Sequence, residues 1–171
     1  MVRARVLILT AALFHAGLCS ASPEEDIRTG FDKFVSAQNE YSLIVRDAEL
    51  EVLPAVNAYG LGFLPFFPLY NGLLTGKFSR KGGPAESRIM HSRPHLLDTA
   101  PWAAMDAYEK FCAERDVTML TATFAWLLAQ PGLSSVIAGA TTPDQVAANA
   151  KAVTAWSATP EEIAEISAIF A

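Results

Sequence analysis

Three short apolar runs, each opening into polar or glycine-bearing sequence, constrain this chain more than any other feature. "FVSAQ" at 34–38, "LGFLPFF" at 61–67 and "SSVIAG" at 134–139 read as strands. Helical patterns lie between and after them, over Asp47–Tyr59, Trp102–Arg115 and Thr118–Ala129, the last closed by Gln130-Pro131-Gly132. Alternating strands and helices are the mark of βαβ units, which predict a parallel sheet with right-handed crossovers. Three strands are too few to close a barrel and few for a doubly wound sheet. The reading is therefore an α/β chain with an incomplete parallel sheet.

Punctuation supports this order. Ser22-Pro23-Glu24-Glu25, Thr142-Pro143-Asp144-Gln145 and Thr159-Pro160-Glu161-Glu162 share one helix-start signal. Each puts a hydroxyl at the N-cap, Pro at the first helical position and Glu or Gln at N3 to bond back to the cap. Pro54 either starts or kinks the helix over Asp47–Tyr59, and Gly60 stops it. The stretch Ser79–Pro101 is predicted as a long polar loop, longer than connectors usually run.

The 171 residues suit one domain or a large piece of one, and at 51% hydrophobic they are able to form a packed core. A net charge of −5 argues against a nucleic-acid surface. No apolar run reaches the ~18 residues a membrane-spanning helix needs. Cys19 and Cys112 lack metal-type spacing; they are compatible with one disulfide, and the reading taken is two buried thiols. Residues 1–33 are set apart as an N-terminal segment. Within it, "MVRAR", "VLILTAALFHAGL" and "CSA" give residues 1–21 the outline of a secretory signal, while the same stretch also reads as a barrel strand and its flanks.

In parallel α/β folds, ligands gather where strands end. Gln38 closes the first run, Phe66 and Phe67 close the second, Asn71–Lys77 follows directly, and "GATTPDQVAAN" follows the third. A carboxamide, an aromatic face, a Gly-punctuated loop with a cation and a capped helix N-terminus would together suit a ligand with a flat ring and phosphates. Each also has a plainer reading, as strand terminus, core aromatic pair, loop or ordinary cap. The loop is not a P-loop, since Gly72 and Gly76 are separated by three residues and Phe78 stands where Ser or Thr would follow the Lys.

Taken in order, "FVSAQNEYSL", "FLPFFPLYNGLLTGK" and "SSVIAGATTPDQVAANAKAV" resemble the C-terminal half of the aldo-keto reductases, over about Phe34 to Ala171. The resemblance implies a partial (β/α)8 TIM barrel, C-terminal half only, and a family that reduces aldehydes and ketones with NADPH, usually without metal. It implies that Gln38 holds the nicotinamide carboxamide and that Phe66, where the family commonly has Tyr, stacks on the nicotinamide ring. Leu69, Gly72, Leu74 and Lys77 match the loop across the pyrophosphate. Gly139, Thr141, Gln145 and Asn149 match the adenosine end, with Ala148 departing from a common Glu.

A full barrel takes typically ~250 residues. The family's catalytic Tyr, Lys, Asp and His lie on its first half, and nothing before Phe34 resembles that half. Tyr41, Tyr59, Tyr70 and Tyr108 match no catalytic position. Pro94 breaks the helix that His91 and His95 would need to share a metal. The expectation is NADP(H) as cofactor, no catalytic residue, no metal, and no nucleic-acid or membrane-spanning partner. A carbonyl substrate is expected only if a complementary half is supplied. Open sheet edges predict self-association. The family points to a cytoplasmic home, the signal-like start to export. The alternatives are a non-catalytic NADP(H)-binding module and a truncated reading frame.

Overall fold

The computed structural model describes residues 34–171. The cap at Ser22, the stretch 1–21 and Cys19 lie outside the described residues. Strand β1, Ser36–Ala37, runs parallel to strand β2, Gly62–Phe63, with Ser36 opposite Gly62 and Ala37 opposite Phe63. A third segment joins on the far side of β2: Phe63 N–H donates to Gly132 O at 2.9 Å and Ser134 N–H to Phe63 O at 2.9 Å. Further single bridges pair Glu40 with Phe66 and Phe63 with Leu133. The parallel sense matches the sequence reading, but the sheet has two strands among the described residues. The expected third strand at 134–139 is extended chain joined by the Phe63–Leu133 bridge, and the ladder is much shorter than the apolar runs.

Glycine fixes how closely these strands approach. A Cβ on Gly62 would stand 2.7 Å from Ser134 Oγ, so a side chain there would push the third segment away. The chain leaves β1 through a 3₁₀ turn at Asp47–Glu49 and enters helix α1, Val52–Tyr59. Pro54 falls in the first turn of α1, where its missing N–H leaves no bond unmade. Gly60 ends α1 in the left-handed region, at φ 65°.

The expected loop from Ser79 to Pro101 is not structureless. It contains α2, Arg88–Ser92, and α3, His95–Asp98. Ser87 caps α2, its Oγ accepting the Met90 N–H, and the chain breaks at Arg93 and Pro94 between the two. Helices α4, Trp102–Glu114, and α5, Met119–Leu128, follow, then α6, Pro143–Ala152, and α7, Pro160–Ile169. At α7 the Thr159–Glu162 capping box is complete.

Helix α5 is apolar on nearly all sides, and it is accordingly the central helix of the core. Met119, Ala122, Phe124, Trp126 and Leu127 are all buried. Each such large side chain removed from water contributes about 1.5–3 kcal/mol. The Tyr41 ring packs on Phe63 at 5.8 Å and on Trp126 at 5.4 Å between centroids, joining the sheet to α5. Arg46 then ties the early chain to the last helix. It binds Glu49 at 2.8 and 2.9 Å, donates to Ser167 O at 2.9 Å and lies over the Trp126 ring, whose Nε1–H donates to Ser167 Oγ at 2.7 Å.

Candidate functional site

The site begins with backbone bonds that align the strand ends. Phe66 N–H donates to Asn39 O at 3.0 Å, Tyr41 N–H to Phe66 O at 3.3 Å, and Ile137 N–H to Pro65 O at 3.3 Å. The exits of all three strands therefore lie side by side, with Gln38–Glu40 on one flank of Phe66 and Ile137–Gly139 on the other. Gln38 is exposed. Phe66 is 38% exposed, which leaves part of its ring uncovered, and it meets Phe67 edge to face at 5.4 Å.

The loop after β2 is held in an unusual backbone. Phe67, Tyr70 and Asn71 have φ of 52°, 45° and 58°. Among the described residues, Asp116 is the other non-glycine with positive φ, so this conformational cost is concentrated here. Tyr70 N–H to Phe67 O at 2.8 Å, Gly72 N–H to Leu69 O at 2.9 Å and Thr75 Oγ1–H to Gly72 O at 2.6 Å fix it. Leu69 and Leu74 are buried, so any ligand contact from them is through the backbone. Thr123 Oγ1 reaches Leu74 O at 3.4 Å and shares a 3.0 Å hydrogen bond with the Tyr108 hydroxyl, linking the loop to the core.

Gly72 and Lys77 are brought together. Lys77 is exposed and curls back on the loop, with Nζ over the Phe78 ring at 5.5 Å. Beside Gly72, the buried Asn71 Oδ1 has no hydrogen-bond partner among the described residues. A cleft of about 70 Å³ lies at the loop's far end, lined by Gly76, Phe78, Trp102 and Met105 among others. It includes none of the ten predicted residues.

At the third strand end, a Cβ on Gly139 would meet nothing within 4 Å, so the backbone stands open. Thr142 caps α6 by accepting the Gln145 N–H, as expected. The return bond differs from the expectation. Gln145 Oε1 accepts from Thr141 N–H at 2.8 Å and Thr141 Oγ1–H at 3.2 Å, one residue before the cap. Thr141 and Gln145 are thus in contact, and Asn149 lies a turn further along α6, half-buried.

Sequence reasoning missed two arginines. Arg88 and Arg93 stand over the Phe67 ring, at 5.8 and 5.3 Å from its centroid. The other described arginines, Arg46, Arg80 and Arg115, each have a carboxylate partner. Arg88 and Arg93 form no ion pair among the described residues, and nearby Glu86 faces His91 at 3.6 Å. The ring that gathers them lies more than twenty residues back in the chain, beyond the reach of local patterns.

Among the described residues, the displaced pKa values of two tyrosines and the cysteine are set by burial. Burial raises the Tyr41 and Tyr108 hydroxyls well above the ordinary tyrosine range, and pushes the Cys112 thiol up to about 12. Their roles are structural: Tyr41 donates to Glu49 at 2.8 Å and Tyr108 to Met119 O at 3.2 Å. Among the described residues, no three His, Cys, Asp or Glu gather as metal ligands, and no helix is long and apolar enough to cross a membrane. Around the strand ends the described residues thus present a partly open aromatic face at Phe66, a buried Asn71 Oδ1 without a partner, an open backbone at Gly139 and the cations Lys77, Arg88 and Arg93.

The aldo/keto reductase family model matches residues 14–171, beginning within the signal-like stretch. The NADH-specific methylglyoxal reductase of Escherichia coli (strain K12) is 33% identical over 119 residues, 68% of this chain and 36% of that protein. The uncharacterized oxidoreductase YrpG of Bacillus subtilis (strain 168) is 35% identical over 138 residues, 80% and 40% of the two chains. A protein named "Probable voltage-gated potassium channel subunit beta" from Oryza sativa subsp. japonica is 34% identical over 141 residues, 77% and 42%. The chain spans about two fifths of the length of these relatives. With the match running over most of its residues, this chain belongs to the aldo/keto reductase family.

Proposed function

We propose that this chain is the cofactor-holding part of an NADP(H)-dependent carbonyl reductase. In this reading it is a partial (β/α)8 barrel, equivalent to the C-terminal half, that binds the dinucleotide without turnover when alone. The bound cofactor supplies the hydride for reducing an aldehyde or ketone. The Gln38 carboxamide pairs with that of the nicotinamide, and the Phe66 face orients the ring. Backbone groups of Leu69, Gly72 and Leu74, with Lys77, take the pyrophosphate, and Arg88 and Arg93 add charge on the same side. Gly139, Thr141, Gln145 and Asn149 hold the adenosine end. Gln145 must give up its bonds to Thr141 if its side chain is to serve the ligand.

The observation that carries this reading is the alignment of the three strand exits around Phe66 by the Asn39, Phe66 and Pro65 carbonyls. Because one relative is named NADH-specific, the test compares both cofactors. Titration of the chain with NADPH and NADH, followed by cofactor fluorescence, is expected to saturate, with NADPH tighter. No aldehyde-dependent loss of NADPH absorbance is expected from the chain alone. Absence of a saturable change with either cofactor up to millimolar concentration would overturn the proposal, and turnover by the isolated chain would refute its catalytic half.

A further inference from the structure

We propose that Thr123, steadied by Tyr108, is a positioning residue that holds the loop at 67–77, from the core side, in the shape its backbone needs to meet a ligand. The proposal rests on the reading of that loop as the part that takes the pyrophosphate. Five of its residues have left-handed backbone: Phe67, Tyr70, Asn71, Gly72 and Gly76. Three of these carry side chains, and such conformations persist only where the surroundings impose them. A loop of this sequence left to itself would relax.

The bonds inside the loop close its turns without tying it down. Tyr70 N–H to Phe67 O, Gly72 N–H and Leu74 N–H to Leu69 O, and Thr75 Oγ1–H to Gly72 O all begin and end within it. Among the described residues, one hydrogen bond leaves 67–77 for another element, from Thr123 Oγ1 of α5 to Leu74 O at 3.4 Å. Leu74 is fully buried, so its carbonyl has no access to water and the threonine stands in for it. A Cβ on Gly76 would stand 3.3 Å from Met119 Sδ, so the first turn of α5 packs against the end of the loop as well. Met119 and Thr123 lie one turn apart and meet the loop together.

Tyr108 makes this use of Thr123 possible. A threonine inside a helix ordinarily turns its hydroxyl back to the carbonyl four residues earlier, here Met119 O. The Tyr108 hydroxyl already lies 3.2 Å from that carbonyl and 3.0 Å from Thr123 Oγ1. With the Tyr108 proton shared between those two oxygens, the Thr123 proton is left for Leu74 O. Both side chains are fully buried. Valine would fill the place of Thr123 with the same shape; what the hydroxyl adds is its reach to the loop.

Amide exchange read without cofactor tests the tether, and NADPH titration tests its consequence. In Thr123→Val, exchange at Gly72 and Leu74 is expected to quicken while the α7 amides keep their protection, and the Kd for NADPH to rise about three- to tenfold. Tyr108→Phe should act in the same direction more weakly, and carries the same test if Thr123→Val does not fold. Thr123→Ser keeps the hydroxyl and should return both readings towards wild type. Unchanged loop exchange in Thr123→Val and Tyr108→Phe would overturn the proposal. So would quickening shared equally by α7, NADPH affinity that faster loop exchange leaves unchanged, or Thr123→Ser as impaired as Thr123→Val. A wild-type chain that binds no NADPH would instead overturn the proposed function, with faster loop exchange in Thr123→Val still supporting the tether.

Discussion

Lys77 folds back over Gly72, its Cε and Nζ lying 3.2 and 3.3 Å from where a Cβ on that glycine would stand. Gly72 also has φ 96°, a conformation that side chains rarely adopt. Gly72→Ala is expected to destabilise the fold by about 1–3 kcal/mol and to displace Lys77, weakening NADPH binding as well. Lys77→Ala should weaken binding while leaving stability within about 0.5 kcal/mol, since it is an exposed side chain. Urea melts and cofactor titrations of the two variants separate the effects; equal binding losses with no stability change in Gly72→Ala would contradict the strained-loop account.

Gln145 holds the Thr141 loop against the start of α6. Gln145→Ala removes both bonds to Thr141 and should loosen the loop after the third strand. The expected loss is about 0.5–1.5 kcal/mol of stability together with weaker adenosine-end binding. Amide exchange at Thr141 should quicken, and unchanged protection there would count against this bond.

Arg115 joins α4 to α7. Its guanidinium lies 3.7 Å from the Phe111 ring centroid and bonds Glu162 at 3.1 Å and Glu165 at 2.8 Å. Glu162 is also the capping residue of α7, so one arginine steadies the helix start and its packing together. Arg115→Ala is expected to lower stability by about 1–2 kcal/mol. Lysine should rescue it only in part, because it lacks the planar fork. Full rescue by lysine in thermal melts would show that charge alone matters.

Alkaline pH acts on the buried thiol and phenol. Cys112 has its pKa raised by burial from 9.0 to about 12, and Tyr108 is raised in the same direction. The folded state thus holds these protons more tightly than the unfolded one. Their contribution to stability is complete below the unfolded values and is lost as pH rises through the folded ones. Melting temperature should fall from about pH 9 upward, and Cys112→Ala should flatten that slope. A slope unchanged in the variant would exclude the thiol as a contributor.

What the sequence disclosed was local. Thr142 and Thr159 cap their helices because a hydroxyl, a proline and an N3 partner act within four residues. Gly60 ends α1 for an equally local reason. The first two strands and their parallel sense were also legible. The third run, 134–139, forms no strand and meets the sheet through the single Phe63–Leu133 bridge, because pairing there depends on partners far along the chain. Ser87 hid a cap inside a stretch that reads as loop. Arg88 and Arg93 were invisible for the same reason as the strand ends: what defines them is the Phe67 ring, and proximity in space leaves no trace in composition.

Gly139 lies outside the positive-φ residues and has clear space in front of it. A methyl group added there would meet no atom of the described residues within 4 Å. Gly139→Ala should leave the thermal midpoint nearly unchanged, so under the proposed function a loss of cofactor affinity in this variant is expected to report contact at the third strand end. Backbone left bare at a chain exit thereby separates what the fold needs from what the proposed ligand needs, and unchanged affinity in Gly139→Ala would remove the position from the site.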